Sequence, residues 1–391
     1  MPERHPTFLG VAVPPSRTVK NAAVRGLRRI CYAGLDSVEL RREVHRRLEV
    51  LIPSEAFTFA TTDPDTGLLT HAVSEGVPRS VYRSWIDHLY PYRVATEVLD
   101  MVRVGPTVTA ECSEMVRDVL APGGLRYDLR GVLCEQDAPV GFVCLLRETG
   151  SGEFHREEVR LLEEILPHLT RGLVSATLLD QARTPTPQPT ANGRKPQNGT
   201  SPVPNGDAPS GPGVILLDDA GVVQTRNSAA RRFLLDLSDS GDGPDGVPSC
   251  VASVVGSLLH MHRNGGSDPD LPLEAHLRAR GHSGQWYSIR ASLTEPDPAG
   301  RSSTVVLVSR ATSREIAPIL ARLYGLTPRE REILVLAARG WSTKRMSQQL
   351  EISSYTVQEH VGNACAKVGV RTRRELLARI FFDGYAGNFG A

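Results

Sequence analysis

The spacing of apolar residues divides the chain into stretches of different character. After Asp36 the series Val38, Val44, Leu48 and Leu51 recurs at helical intervals and predicts a helix. Strand-like runs at 56–60 and 68–73 follow, joined across the turn Asp63-Pro64-Asp65-Thr66-Gly67. A helix is expected over 79–89, and a hairpin from 126–133 and 140–146. Residues 154–179 carry Val159, Leu162, Ile165, Leu166 and Leu169 at helical spacing, with Pro167 expected to bend or break that helix. Residues 1–35 show no comparable pattern and are read as a tail.

Periodicity vanishes between Thr184 and Gly213, where Pro, Gly, Asn, Ser and Thr leave almost nothing to bury. As a coil of about 30 residues this linker spans roughly 30 Å, enough for the flanking domains to move independently. Beyond it come a strand at 214–217, a turn through Asp218-Asp219-Ala220-Gly221, a strand at 222–225 and a helix at 228–235 after Asn227. Strand-like segments at 274–280, 286–291 and 304–308 complete this unit, separated from its first part by Gly-, Asp- and Ser-rich sequence at 241–272. In 314–324, Ile316, Ile319, Leu320 and Leu323 share one helical face and predict a connecting helix within 312–325.

The last sixty residues carry four helix starts. Thr327 with Pro328 and Glu330 forms a capping box with a pre-set first turn, and Gly340 ends that helix. Ser342 caps a short helix, the tight connection Glu351-Ile352 follows, and Ser353 caps a third helix to about Val368. Two helices joined in this way form a helix-turn-helix. Thr372 and Glu375 repeat the capping box before a fourth helix.

On the third helix Val357, Val361, Ala364 and Val368 form one face. Tyr355, Glu359, Gly362 and Ala366 form the opposite one, flanked by Thr356, Gln358 and Asn363. Small residues there allow close approach, and the polar ones offer donors and acceptors to base edges in a major groove. The candidate base-reading set is therefore Tyr355, Thr356, Gln358, Glu359, Gly362 and Asn363. Gln358 favours adenine, so an A-containing half-site is expected.

Charge changes the picture only locally. The whole chain has a net charge of +1, whereas 326–385 holds ten basic residues against six acidic ones. Positive charge is concentrated where the polar helix face lies, as contact with a polyanion requires. Lys344, Arg345, His360, Lys367 and Arg373 are the candidate phosphate contacts. With 40% hydrophobic and 23% charged residues the composition is that of a globular, multi-domain protein.

Leu326-Thr327-Pro328-Arg329-Glu330-Arg331-Glu332, Gly340-x-Ser342-x-Lys344, Ile352-Ser353-x-x-Thr356-Val357-x-x-His360 and Lys367-Val368-Gly369-Val370-x-x-Arg373 resemble the LuxR-type helix-turn-helix of bacterial transcription regulators. The resemblance implies a four-helix DNA-binding domain over 326–385, with the third helix in the major groove of double-stranded DNA. It also implies a homodimer formed through the fourth helix, for which Leu377 and Phe381 are the candidate residues. Better-known members place lysines on the groove face where this chain has Gln358 and Gly362. The element order over 36–180 resembles a GAF-type sensory and dimerisation domain. That over 214–311 resembles a PAS-type domain.

The fold class expected is thus α+β and multi-domain: a GAF-like α/β sensor, a PAS-like α+β module and a C-terminal helix-turn-helix domain. The function expected is a sequence-specific transcription regulator whose front modules gate DNA binding or dimerisation. A small-molecule receptor and a protein-interaction scaffold stay open as alternatives, and RNA polymerase is a candidate partner.

Enzyme chemistry finds no support, because GxSxG, HExxH and CxxC are absent and the four lysines include none in a P-loop. No cofactor or metal is expected: no two cysteines lie closer than ten residues, and His260 and His262 point apart on a helix. Asp218-Asp219 could mark a phosphorylation receiver, yet no lysine lies between Lys195 and Lys344 to complete one. Cys134 and Cys144, on neighbouring strands, are read as core thiols, and Trp85, Tyr90 and Tyr92 as core aromatics. The longest apolar run, 139–146, is far short of the roughly 18 residues of a spanning helix, and 1–20 holds no apolar signal core, so a cytoplasmic protein is expected.

Overall fold

The computed structural model describes residues 17–78, 80–81, 108–109, 120–136, 138–183, 211–219, 221–238, 247–263, 274–298 and 300–381. Trp85, Tyr90, Tyr92, most of the helix expected at 79–89 and nearly all of the linker lie outside these residues.

The first module opens with α1 (Arg17–Cys31) and α2 (Ser37–Leu51), the latter capped by the Asp36 carboxylate, which accepts from Glu39 N at 2.8 Å. A sheet follows, built from β1 (Ala56–Thr62), β2 (Leu69–Glu75), β3 (Val108–Thr109), β4 (Leu125–Glu135) and β5 (Ala138–Glu148). Its strands are antiparallel in the order β2-β1-β5-β4-β3, so the first strand pairs with the last. The long helix α3 (Arg156–Arg183) covers one face. Phe57, Phe59, Leu129 and Leu145 from the strands interlock there with Leu48, Leu162, Ile165 and Leu169 from the helices.

Two expectations are corrected in this module. Residues 17–31 are not tail: Leu27, Ile30 and Cys31 of α1 are buried in the common core. The helix can lie this close because a Cβ added to Gly172 of α3 would stand 2.9 Å from Cys31 Cβ. Nor does Pro167 end its helix, since α3 continues through it to Arg183. The buried face on both sides of the proline, from Leu162 to Leu173, outweighs one missing backbone hydrogen bond.

The second module contains β6 (Gly213–Leu217), β7 (Val223–Arg226), α4 (Ser228–Leu237), α5 (Ser249–Arg263), β8 (Glu274–Arg280), β9 (Trp286–Leu293) and β10 (Thr304–Arg310). Asn227 starts α4 by accepting from Ala230 N at 2.8 Å. The sheet runs β7-β6-β10-β9-β8, the same permutation of strands as in the first module. Within the stretch read as Gly- and Ser-rich, α5 forms because Cys250, Val251, Val254 and Leu258 pack on Leu277, Ile289 and Val306. Cys134 and Cys144 are free thiols on adjacent strands, where Cys144 stands opposite Arg130.

The two modules are docked, against the expectation of independent movement. Asp63, with no exposed surface, and Asp65 from the β1–β2 turn receive Arg278 of β8 at 2.7 and 2.6 Å. Leu69 N donates to Ser253 Oγ at 3.1 Å, and Trp286 Nε1 to Gln181 Oε1 at 2.8 Å. Leu68 joins the core of the second module, while Trp286 joins that of the first.

The connecting helix α6 (Ser313–Leu323) starts with a capping box between Thr312 and Glu315. Ile316, Ala317, Ile319, Leu320, Ala321 and Leu323 are all buried, which is wider than one amphipathic face, because α6 is covered on more than one side. Arg322 pairs with Asp65 at 2.8 Å. Four short helices complete the chain: α7 (Pro328–Ala338), α8 (Thr343–Gln349), α9 (Ser354–Val368) and α10 (Arg373–Phe381). Among the described residues, no helix is long and apolar enough to cross a membrane.

Candidate nucleic-acid interface

Local chemistry places the helices of the C-terminal domain where their caps require. The Thr327 side chain accepts from Glu330 N while the Glu330 carboxylate accepts from Thr327 N at 2.8 Å. Ser342 and Ser353 cap α8 and α9 in the same way, through the backbone N–H groups of Arg345 and Thr356. Gly369 at φ 74° ends α9, and between α8 and α9 Glu351 takes φ 53° to turn the chain. Met346 and Val357 seal the two helices against Ile333, Leu336 and Ala337 of α7.

This packing decides which face of α9 meets solvent. Val357, Ala364, Cys365 and Val368 are buried, with Val361 half-buried. Gln358, Glu359, Gly362, Asn363 and Ala366 are exposed, Thr356 is half-buried, and the Tyr355 ring is 76% exposed at the start of the helix. Nothing lies within 4 Å of a Cβ built on Gly362, so the middle of this face is shallow and open.

The cations expected to meet phosphate are in different situations. Lys344 is exposed on α8, His360 is half-buried at the edge of α9, and Arg345 is exposed with its guanidinium 4.1 Å above the Trp341 ring. That stacking orients Arg345 and gives the half-buried Trp341 a holding role. Lys367 and Arg373 are placed otherwise than expected. Lys367 donates to Glu330 at 2.8 Å, and Arg373 donates to the carbonyls of Ala337 and Trp341 at 3.1 and 2.7 Å. Both tie α7 to later helices, a use that spacing along the sequence could not reveal.

Arg329 is a related omission: it donates to Leu350 O at 2.7 Å and so holds the turn before α9. Leu377 and Phe381, expected at a dimer surface, are half-buried against the chain's own core, beside the buried Leu376 and Ile380 that face α6. Gln136 Nε2 from the first module reaches Gly325 O at 2.5 Å, at the junction of α6 and α7. Among the described residues no cluster of metal-ligating side chains occurs, and His260 and His262 stand apart from this interface on α5.

Glu330 is 4% exposed. Burial alone would push its carboxyl up, but the hydrogen bonds from Lys367 and Thr327 outweigh it and hold the group below the usual glutamate value. A lowered folded-state pKa stabilises above the unfolded value, so the contribution is complete at neutral pH and fades as acid protonates the carboxylate. Glu330→Ala is expected to cost the domain about 2 kcal/mol through lost cap and charged hydrogen bonds. Thermal unfolding of residues 312–391 checks this, with a melting temperature unchanged at neutral pH as the contrary result.

A family model for the bacterial regulatory proteins of the luxR family, GerE, matches residues 325–380. The spore germination protein GerE of Bacillus subtilis is 38% identical over 59 residues, which are 15% of this chain and 80% of that protein. A probable HTH-type transcriptional regulator, GfsR, of Streptomyces halstedii is 26% identical over 163 residues, 42% of this chain. The chain spans 58% of the length of that regulator. Among solved structures, the GAF domain of a phosphoenolpyruvate-protein phosphotransferase from Coxiella burnetii is 14% identical, with 42% of this chain and 98% of that one covered, at a TM-score of 0.32. A Vibrio cholera VqmA–ligand–DNA complex is 16% identical, covering 46% and 85% of the two chains, at a TM-score of 0.24. Both scores are below the level from which a shared fold follows.

Proposed function

The chain belongs to the luxR family of bacterial regulatory proteins, and from that premise we propose that it is a sequence-specific, DNA-binding transcription regulator whose front modules gate the DNA reader. The observation that carries this reading is the exposed face of α9, where Tyr355, Gln358, Glu359, Gly362 and Asn363 stand on a helix whose other side is sealed. Together with Thr356 these residues read base edges in the major groove. Lys344, Arg345 and His360 hold the flanking phosphates, while Lys367 and Arg373 brace the domain that presents them.

The front half acts as sensor rather than enzyme. The first module is GAF-like in element order. The second, with its hairpin, helix pair and three closing strands, is PAS-like. Gating runs through α6, which is buried against the front modules and against α10. Active regulator is a homodimer, and exposing Leu377 and Phe381 for that contact requires α10 to shift from its present packing.

Selection of genomic DNA fragments at physiological salt, by the full chain and by residues 312–391 in parallel, tests the proposal. Both are expected to enrich one inverted-repeat motif, the full chain less strongly where the front modules restrain the reader. Enrichment of nothing by either protein rejects the reading. In the same assay Lys344→Ala is expected to weaken binding to all sequences alike and to lower the salt slope by about one. An unchanged slope removes Lys344 from the phosphate contacts.

A further inference from the structure

We propose that the first module latches the DNA reader shut at the α6–α7 junction, where Gly325 is the hinge and the tip of the β4–β5 hairpin, with the β1–β2 turn, is the latch. This inference rests on the reading of the chain as a gated DNA-binding regulator and names the contact that gates it. The junction is short, running from Tyr324 to Thr327 between the two helices. Gly325 takes φ 68° there, a conformation that glycine adopts without steric cost. Its N–H donates to Arg322 O at 2.8 Å and that of Leu326 to Ala321 O at 3.0 Å, which closes the end of α6.

The first module grips this junction at two points. At the hairpin tip Gln136 Nε2 donates to Gly325 O at 2.5 Å, and a Cβ built on Gly325 would stand 3.3 Å from Glu135 Oε1. One turn back along α6, Arg322 donates to Asp65 Oδ1 at 2.8 Å. Gln136 is itself at φ 58°, in the left-handed region that asparagine or glycine enters with less strain in a tight hairpin turn. Its longer side chain is what reaches Gly325. The second oxygen of Asp65 meets Arg278 of β8 at 2.6 Å, so one aspartate couples the docking of the modules to the hold on α6. A shift of one module on the other therefore pulls at the hinge.

What the latch keeps closed is the packing of α10 on α6. Because α6 precedes the hinge and α10 follows it, Leu376 and Ile380 leave α6 only when the junction turns. With α10 in place, Leu377 and Phe381 are half-buried against the chain's own core and are not free to pair two protomers. The closed chain is thus the monomeric form, and opening at Gly325 releases the dimer surface. DNA affinity falls in proportion to the closed fraction, so loosening the latch raises it. An exposed ion pair or hydrogen bond shifts such a balance by roughly a few-fold.

Sedimentation of the full chain over a concentration series, and its titration with a duplex carrying the inverted repeat that it selects, test the proposal. Gln136→Gly keeps the hairpin turn and removes the reaching amide, and Arg322→Gln releases Asp65. Each is expected to strengthen dimerisation and DNA binding by about threefold, and the two together by about tenfold. Arg301→Gln, which breaks an exposed ion pair with Asp297 in the second module, should change neither. Unchanged or weaker dimerisation in the double variant, or an equal rise in Arg301→Gln, overturns the inference. The two readouts separate this inference from the function on which it rests. A parent and variants that all bind DNA alike, with no gain in dimerisation, reject the latch alone. Variants that dimerise more strongly while no form of the chain binds DNA reject the proposed function alone.

Discussion

Gly362→Glu is expected to fold at least as stably as the parent chain and to lose DNA affinity by about 100-fold, the scale of the roughly 1–3 kcal/mol attached to one disrupted base contact plus added phosphate repulsion. Glycine inside a helix costs about 0.5–1 kcal/mol relative to alanine, and glutamate is a good helix former. Gly362 sits in the middle of α9, and a Cβ there meets no atom within 4 Å, so nothing in the folded domain opposes the new side chain. Stability should therefore rise while binding falls. Only the groove face explains that combination, because a damaged fold would lower both. Gly362→Ala separates bulk from charge and should lose about tenfold or less. Thermal unfolding and DNA titration at one fixed salt concentration read both quantities. Retention of parental affinity by the glutamate variant would remove α9 from the DNA surface.

Arg278→Met is expected to destabilise the full chain by about 3–5 kcal/mol, as breaking a buried ion pair does. Arg278 is 8% exposed in its side chain and reaches both oxygens of the buried Asp63, one oxygen of Asp65 and the carbonyl of Glu315. Removing the guanidinium leaves the buried Asp63 carboxyl with the backbone N–H groups of Asp65 and residue 278 as its donors and no countercharge at bonding distance. Burial would raise the Asp65 carboxyl, yet the hydrogen bond and charge of Arg278, with Arg322, outweigh it and hold the group below its ordinary value. The folded pKa is the lower one, so this stabilisation is complete above the unfolded aspartate value and drains away as pH falls through the folded one. Acid should loosen the docking of the modules before it melts their cores. Denaturant unfolding measures the loss, and Arg278→Met with Asp63→Leu should recover most of it, since an apolar pair replaces a buried ionic one at little cost. A single-variant loss below about 1 kcal/mol would show the node to be solvated like a surface pair.

The C-terminal domain was legible because its signals are local. Thr327, Ser342 and Ser353 cap helices whose first turns lie three residues away, and each helix begins where its cap predicts. The sealed face of α9 followed from periodicity, since Val357, Ala364 and Val368 must share one side of any α-helix. The first module was less transparent. In α1 the buried Leu27, Ile30 and Cys31 are interspersed with Arg25, Arg28 and Arg29, and its burial depends on Gly172, more than a hundred positions away, leaving room for Cys31.

Sequence by itself determined the four capped helices at the C-terminus, the solvent-exposed face of α9 and most of the strands and helices of the two αβ modules, because caps, turns and periodic apolar faces act over a few residues. Tertiary structure alone decided where the charged side chains are spent. Lys367 and Arg373 look in sequence like any other cations near the polar-faced helix α9, yet Glu330 and the Ala337 and Trp341 carbonyls hold them within the domain. Arg278 meets Asp63 across 215 positions, and that meeting docks two modules whose sequences show no sign of it. A charge has a long reach and no preferred sequence distance, so its partner is fixed only once the chain has folded around it.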